Sequence, residues 1–393
     1  MENKTYLSLD DVSIMPAKIS HIEHRSECSP YWYNDILPIF TAPMSSVINL
    51  GNYKKFQENK INTILPRTLS FDERLSNSLH TFIAVGLDEF ENRILDLDID
   101  DGEQIKVCID IANGHMSKLL DLCRKAKEKF GDKILLMVGN IANSETYFEY
   151  YKAGIDYVRV GIGGGNACLT SVQSAIHTPM ATLLSEIHSV KTRIMSGQFV
   201  GELPIKELPK IIADGGIDSY DKIIKCLALG ADYVMCGKIF AQCEEACGEK
   251  LQKFLYSDGT YKYLNYYDSI KAKAYIDSAD YISNIFTSKQ SAKTSINTTS
   301  ESYPISAFNE IYRNYYGMST KKAQKEMGKE NFHTSEGVER IVKVEYSLSG
   351  WIENFIDYLR SAMSYCDSYS LYEFQKKAKV ITITGAARAA YIK

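Results

Sequence analysis

Short apolar runs that alternate with amphipathic helical stretches predict an α/β fold, a closed (β/α)8 (TIM) barrel. Two observations carry the prediction. Eight strand-like runs fall between residues 38 and 237, the number and span that a ring of parallel strands needs. One unit is also echoed: Gly154-Ile-Asp-Tyr-Val-Arg-Val-Gly161 returns as Gly230-Ala-Asp-Tyr-Val-Met-Cys-Gly237. In each, a helix-capping glycine leads into a strand that ends at another glycine. A doubly wound open sheet meets the same strand count and stays open as the alternative.

Residues 6–15 read as an extended lead-in. The strand candidates are 38–44, 62–67, 81–87, 106–111, 134–140, 157–162, 210–216 and 232–237. Helical periodicity occupies 50–59, 116–130, 144–153, 181–194 and 219–229 between them. From 250 to 314 the pattern loosens into Tyr, Ser, Lys and Asn, with no clear period before 307–312, and reads as an insertion of unknown role. A charged helical stretch follows at 321–329, then an amphipathic helix at 351–366 and a strand at 379–384. The expected organisation is a barrel core over 1–249, the insertion over 250–314, and a flap with a C-terminal helix-strand extension of the same catalytic domain over 315–393.

At 393 residues the chain can bury a large core. A net charge of −4 gives no basic field for nucleic acid or an anionic membrane. No apolar run approaches a membrane span, and the N-terminus is not a signal peptide. Nine cysteines, scattered without framework spacing, read as reduced thiols in a cytoplasmic protein. Cys243 and Cys247 lack a second ligand pair, so they are assigned no metal.

The stretch from 158 to 170 holds the chemistry. A strand breaks into Gly161, Gly163, Gly164 and Gly165, then delivers Cys168 and, two positions on, Thr170. Clustered glycines let backbone dipoles crowd around an ion while a thiol is held still, the setting that a thiolate nucleophile needs. A flexible turn with a bystander cysteine is the plain alternative. Late βα loops built alike, as the repeat predicts, suit a phosphate held between them.

With these residues laid out, the chain resembles the IMP dehydrogenase/GMP reductase family. The ordered motifs are Thr41-Ala-Pro-Met-Ser-Ser-Val47, Asp110-Ile-Ala-Asn-Gly-His115, Val138-Gly-Asn140 and the cysteine loop. After them come Ala213-Asp-Gly-Gly-Ile217, Val234-Met-Cys-Gly237, Tyr316-Gly-Met-Ser319, Ser335-Glu-Gly337 and Leu359-Arg-Ser-Ala-Met363. The resemblance covers nearly the whole chain apart from the insertion. It implies a purine nucleoside 5′-monophosphate substrate, a nicotinamide cofactor and a homotetramer. It casts Cys168 as the nucleophile on purine C2, with Thr170 and Glu336 as the proton-transfer pair. Asp214 would accept the ribose hydroxyls. Gly216, Gly237 and the amides of Gly163 to Gly165 would form the phosphate cradle, with Asn166 and Lys238 beside it in place of the family's residues, Lys238 either binding phosphate as a point charge or blocking the backbone approach. Gly317, Met318 and Ser319 would meet the purine edge, and Met44 its face. Asp110, Asn113 and Gly114 would take the nicotinamide side. Potassium at Gly163, Gly165 and Cys168 is implied by the dehydrogenase branch alone.

Each residue also has a bland reading. Asp214 before two glycines is a ready Asx turn. Asp110 and Thr170 are possible helix caps, Glu336 an ordinary solvated carboxylate, and Tyr315 and Tyr316 packing aromatics. His115 and His333 read as surface residues.

Within the family, neither 67–81 nor 87–106 leaves room for the paired regulatory module common in IMP dehydrogenases, and 319–336 holds no Arg-Tyr pair. These features, with Asp110-Ile-Ala-Asn-Gly114, favour NADPH-dependent reductive deamination of GMP to IMP over NAD-dependent oxidation of IMP. Glu336-Gly-Val-Glu339 reads the other way. The departures are Gly164, Asn166, Lys238, Ser45-Ser46, Leu65-Pro66-Arg67, Asp357-Tyr358 and Ala362. They leave room for a modified purine substrate or an altered specificity; the rivals are a catalytically inactive nucleotide-binding barrel and, given similar phosphate sites, a flavin-dependent barrel enzyme.

Overall fold

Strand Val12–Met15 (β1) lies outside a ring formed where the apolar runs predict it. The computed structural model describes residues 5–32, 34–198, 207–287, 302–328 and 337–391, and the side chains of 279–287 fall outside that description. The ring comprises β2 (Ile39–Thr41), β3 (Ile64–Leu65), β4 (Phe82–Val85), β5 (Ile105–Asp110), β6 (Ile134–Ile141), β7 (Tyr157–Val160), β8 (Lys210–Asp214) and β9 (Tyr233–Cys236). All pairings are parallel, and β9 pairs with β2. The last gap closes where Phe40 bridges Asn62 and the Thr41 amide donates to the Asn62 carbonyl at 2.9 Å. This is the closed (β/α)8 barrel, and the open sheet is ruled out. Most of the strands end one to three residues before the apolar runs do, because the run ends leave the ladder to become loops at the mouth.

Helices Tyr53–Glu58, Ser117–Phe130, Ser144–Ala153, Met180–Met195 and Tyr220–Ala228 cover the outside. Inside, edge-on rings of Phe40, Phe82, Tyr157 and Tyr233 fill the floor, with centroids 5.1 to 6.2 Å apart. Cys108, Met137, Ile212 and Met235 belong to the same buried cluster.

The repeated unit has a physical job. Asp156 accepts from the Leu136 amide at 2.6 Å and pairs with Lys127 at 2.6 Å. Asp232 does the same with the Ile211 amide at 2.8 Å and Lys191 at 3.1 Å. Each aspartate thus staples the start of its strand to the neighbouring strand and to a covering helix.

The insertion holds more order than its sequence shows. Lys250–Tyr256 (β10), Tyr261–Leu264 (β11), Pro304–Tyr316 (β12) and Glu339–Lys343 (β13) form an antiparallel sheet in the order β11-β10-β12-β13. Helix Tyr266–Thr287 packs on it, with Ala272 against Phe254 and Tyr256. Arg313 of β12 is buried and donates to the carbonyls of Gly248 (2.5 Å) and Glu244 (2.6 Å), which fastens the sheet to the loop leaving the barrel. β12 runs through position 314, so the inserted sheet and the loop at 317 are one continuous piece. Helix Leu348–Tyr365 buries Trp351, Phe355, Leu359 and Met363 on one stripe, and Lys379–Thr382 (β14) pairs antiparallel with β1. No described helix is long and apolar enough to cross a membrane.

Replacing Asp232 by Ala strands a buried amide and Lys191. The variant is expected to lose about 3 kcal/mol of stability, read as a lower midpoint in urea unfolding.

Candidate functional site

The strand ends at the barrel mouth surround a cavity of about 520 Å³. At its base lies Arg159, an inward residue of β7 and almost fully buried. Its Nη1 meets the Asp110 carboxylate at the end of β5 at 2.6 Å. Nη2 and Nε meet Asp214 Oδ2 at the end of β8, at 2.8 and 3.2 Å. Asn140 Nδ2 donates to the same Asp214 oxygen at 2.8 Å. Burial works against the guanidinium's charge, but Asp214 and then Asp110 more than offset it, so the Arg159 pKa is raised. The bridge fixes two acidic side chains on either side of β7, on β5 and β8. Asp110 Oδ1 is taken by Arg159, and no partner for Oδ2 is seen among the described residues.

The cysteine loop leaves β7 directly above. Gly161 sits at φ +123°, and a Cβ there would lie 2.2 Å from the Asp214 carbonyl oxygen, so only glycine lets the two loops approach. The Cys168 amide donates to the Gly165 carbonyl at 2.9 Å, closing a turn that presents Sγ at the cavity wall. Cys168 Sγ lies 3.3 Å from Thr170 Oγ1. Burial pushes up the thiol pKa of the other eight cysteines, Cys108 and Cys247 to about 12. None of those eight lines the cavity; Cys168 is half-buried and does.

Gly163, Gly165, Asn166, Gly216, Gly237 and Lys238 all line this cavity, as do Met44, Gly317, Met318 and Ser319. Tyr315, readable from sequence as a packing aromatic, lines it too. Its hydroxyl lies beside Gly237, 3.0 Å from where a Cβ would stand. Burial raises the Tyr315 pKa, Asp214 and Asp218 reinforce this and Arg340 opposes it, so the phenol is a neutral donor. Asp218 stands behind the cradle, 2.9 Å from Lys222 and 3.5 Å from Lys238, and accepts from Asn166 Nδ2 at 3.3 Å. Burial opposes its charge, yet Lys222, then Asn166 and Lys238, hold its carboxyl below the usual range.

The roof comes from the loop after β12 and the helix Lys321–Glu326, whose Glu326 accepts from Ser45 Oγ (2.8 Å) and Tyr316 OH (2.7 Å). This latch ties the roof to the loop after β2 and gives the departure at Ser45 a purpose shared with the motif residue Tyr316. Gly337 bridges Cys168, and a Cβ on it would press within 2.8 Å of Ser319 Oγ and Thr320 Cγ2. The returning chain therefore seals the cysteine loop against the roof.

Two sequence expectations fall elsewhere. Asn113 is exposed, accepts from the His115 amide at 3.1 Å and does not line the cavity. Gly114 is buried and serves packing: its amide donates to Asn140 O at 2.8 Å, and a Cβ would lie 2.6 Å from that oxygen. Glu336 and His333 lie outside the described residues. The carbonyls of Gly163 and Gly165 already accept from Ser171 Oγ and the Cys168 amide, and no group of three or more His, Cys, Asp or Glu able to hold a metal occurs among the described residues. Arg159 and Asp218 were given no role by the sequence reading, and Asn140 entered it only as the end of the Val138-Gly-Asn140 motif. The signal for Arg159 was its two-residue offset from the floor residue Tyr157 on an inward strand face.

A family model described as IMP dehydrogenase / GMP reductase domain matches residues 72–298 and 295–390. Curated relatives include an inosine-5′-monophosphate dehydrogenase of Chlorobaculum parvum, 28% identical over 280 residues, covering 71% of this chain and 45% of that protein. A GMP reductase of Buchnera aphidicola subsp. Schizaphis graminum is 29% identical over 274 residues, covering 64% of this chain and 73% of that protein. A GMP reductase of Pediococcus pentosaceus is 29% identical over 271 residues, covering 66% and 77%. The chain thus spans less than half the length of the dehydrogenase it matches.

Changing Arg159 to Met leaves Asp110 and Asp214 without their shared counter-charge. A loss of about 3–5 kcal/mol is expected, visible as a fall in thermal midpoint, and Arg159→Lys recovers only part of it because one ammonium lacks the guanidinium's fork.

Proposed function

The chain belongs to the IMP dehydrogenase/GMP reductase domain family, and on that premise we propose that it is an oxidoreductase acting at C2 of a purine nucleoside 5′-monophosphate, running as NADPH-dependent reductive deamination of GMP to IMP. One observation carries the reading. The cysteine at the cavity wall faces the same 520 Å³ space as a fixed ribose-type acceptor, Asp214, and a cradle of glycine backbone.

Each residue has a task in that scheme. Asp214, oriented by Arg159 and Asn140, accepts the ribose hydroxyls, while Gly216, Gly237, Lys238 and the Gly163–Asn166 backbone hold the phosphate. Met44, Gly317, Met318 and Ser319 enclose the base. Cys168 Sγ attacks C2 as a thiolate and forms a C–S bond. The exocyclic amine leaves as ammonia after protonation through Thr170, 3.3 Å from the sulfur, with Glu336 as its partner in the proton transfer, giving up the proton that the departing amine takes. The Oδ2 of Asp110, without a partner among the described residues and beside the purine space, suits a nicotinamide ribose hydroxyl, so the residues present fit this cofactor. The bound nicotinamide supplies the hydride that C2 accepts; the C–S bond then breaks, freeing the thiolate and IMP. The roof excludes water that would otherwise hydrolyse the covalent adduct.

Oxidation of IMP with NAD is the second reading, favoured by Glu336-Gly-Val-Glu339 and by the dehydrogenases among the relatives. The short connection from β3 to β4 favours the reductase, since only the small helix Phe71–Leu75 lies there.

Absorbance of the nicotinamide, followed with GMP plus NADPH and separately with IMP plus NAD, tests the direction; turnover of neither pair rejects the enzyme reading and leaves a silent nucleotide-binding barrel. Cys168→Ala is expected to lower kcat at least about 10³-fold with the nucleotide still bound, and unchanged turnover excludes thiol chemistry. Asp214→Asn is expected to raise KM for the nucleotide by about tenfold, the weight of a charge-assisted hydrogen bond.

A further inference from the structure

The loops after β7, β8 and β9 meet around the glycine cradle, and one carboxylate reaches all three. Asp218 stands in the β8 loop. Its Oδ2 accepts from Asn166 Nδ2 of the cysteine loop at 3.3 Å and lies 3.5 Å from Nζ of Lys238, just after β9. Its Oδ1 takes Lys222 Nζ at 2.9 Å. Asn166 and Lys238 line the main cavity and Asp218 does not. Any influence of Asp218 on a bound phosphate therefore passes through those two side chains. Both are departures from the family pattern, and both converge on one oxygen.

The sequence gives Lys238 two opposite roles, a point charge for phosphate or an obstacle before the backbone. Gly237 lines the cavity beside it, so the lysine does not cover that backbone. Its ammonium is drawn sideways to the β8 loop by a contact longer than the one between Lys222 and Asp218. The lysine is thus tethered without being used up. Lys222 also offsets the charge of Asp218, which limits the repulsion that an incoming dianion meets. Asn166 is braced from its other end, where its carbonyl accepts from Arg340 Nε at 2.7 Å.

We propose that Asp218 is a positioning residue for the substrate phosphate, holding Lys238, with Asn166 as a brace, at the rim of the cradle, so that this chain meets the phosphate with a pre-placed ammonium as well as with backbone amides. The inference rests on the nucleotide reading for placing a phosphate in the cradle, and is independent of the redox chemistry. A free lysine loses much rotamer freedom when it binds an anion; one that is already tethered loses less, and the difference appears as affinity. An ammonium has three donors, so Lys238 can keep Asp218 and still meet a phosphate oxygen.

Titration calorimetry on the full chain tests this with inosine 5′-monophosphate and with ribose 5-phosphate, which carries the phosphate and the diol but no base. Lys238→Ala is expected to weaken both ligands about tenfold, the weight of a charge-assisted hydrogen bond, and Asp218→Asn about threefold. In the Lys238→Ala background, Asp218→Asn is expected to add less than about twofold, because the carboxylate acts through the lysine. Inosine, which has no phosphate, is expected to bind all of these variants as it binds the parent, which a general loosening of the loops would not allow. Tighter phosphate binding in Asp218→Asn, or a loss that persists in full without Lys238, overturns the inference. If Asp218→Asn does not fold, Asp218→Glu, which keeps the charge but moves it by one methylene, serves the same comparison. Asp218-dependent binding of ribose 5-phosphate with no gain from the purine would sustain the positioning role and sink the purine reading; binding of neither ligand overturns both.

Discussion

A buried guanidinium between two carboxylates sets the architecture of the mouth. Arg159 enters from β7 and reaches Asp110 on β5 and Asp214 on β8. Alone in that setting each charge would be costly to bury; together, with Asn140 sharing the load, they are satisfied. The consequence is geometric. Two carboxylates at different points of the cavity wall are held by one rigid plane, so neither can shift without the other. The backbone above obeys the same constraint, because Gly161 must pass within contact of the Asp214 carbonyl.

The barrel was legible because its strands are buried on both faces and so read as apolar runs. Their ends were not, since an apolar residue in a cavity wall looks like one in a ladder. Cys168, Asp214 and the glycine cradle were legible from motif order, and the structure brings them to one cavity. Asn113 and Gly114 share a motif with Asp110 but follow the turn outward, where the first is solvated and the second packs against Asn140. Arg159 was hidden in plain sight as a charged residue inside a strand repeat, its role visible only once the aspartates meet it. The inserted sheet was illegible for another reason. Its strands use tyrosine on both faces, as at Tyr315 and Tyr316, and leave most positions half-buried or exposed, so period-2 alternation is weak in the sequence.

The insertion and the roof are also mechanically joined. β12 begins in the inserted sheet, is anchored by Arg313, and ends at Tyr316 beside the Glu326 latch. A segment with an unassigned composition thus delivers the residues that close the cavity over Met318 and Ser319. Rigidity comes from outside the barrel as well as from within it.

The pairing of β12 with β13 has a digital character. Side chains alternate between faces along a strand, so a slip of one position between these two would turn Arg340 away and bring Glu339 or Ile341 opposite Tyr315. The rim would change from cationic to acidic or greasy without any change in composition. Insertions or deletions in the segment joining these strands are therefore tolerable only when they leave the pairing frame intact, whatever their length.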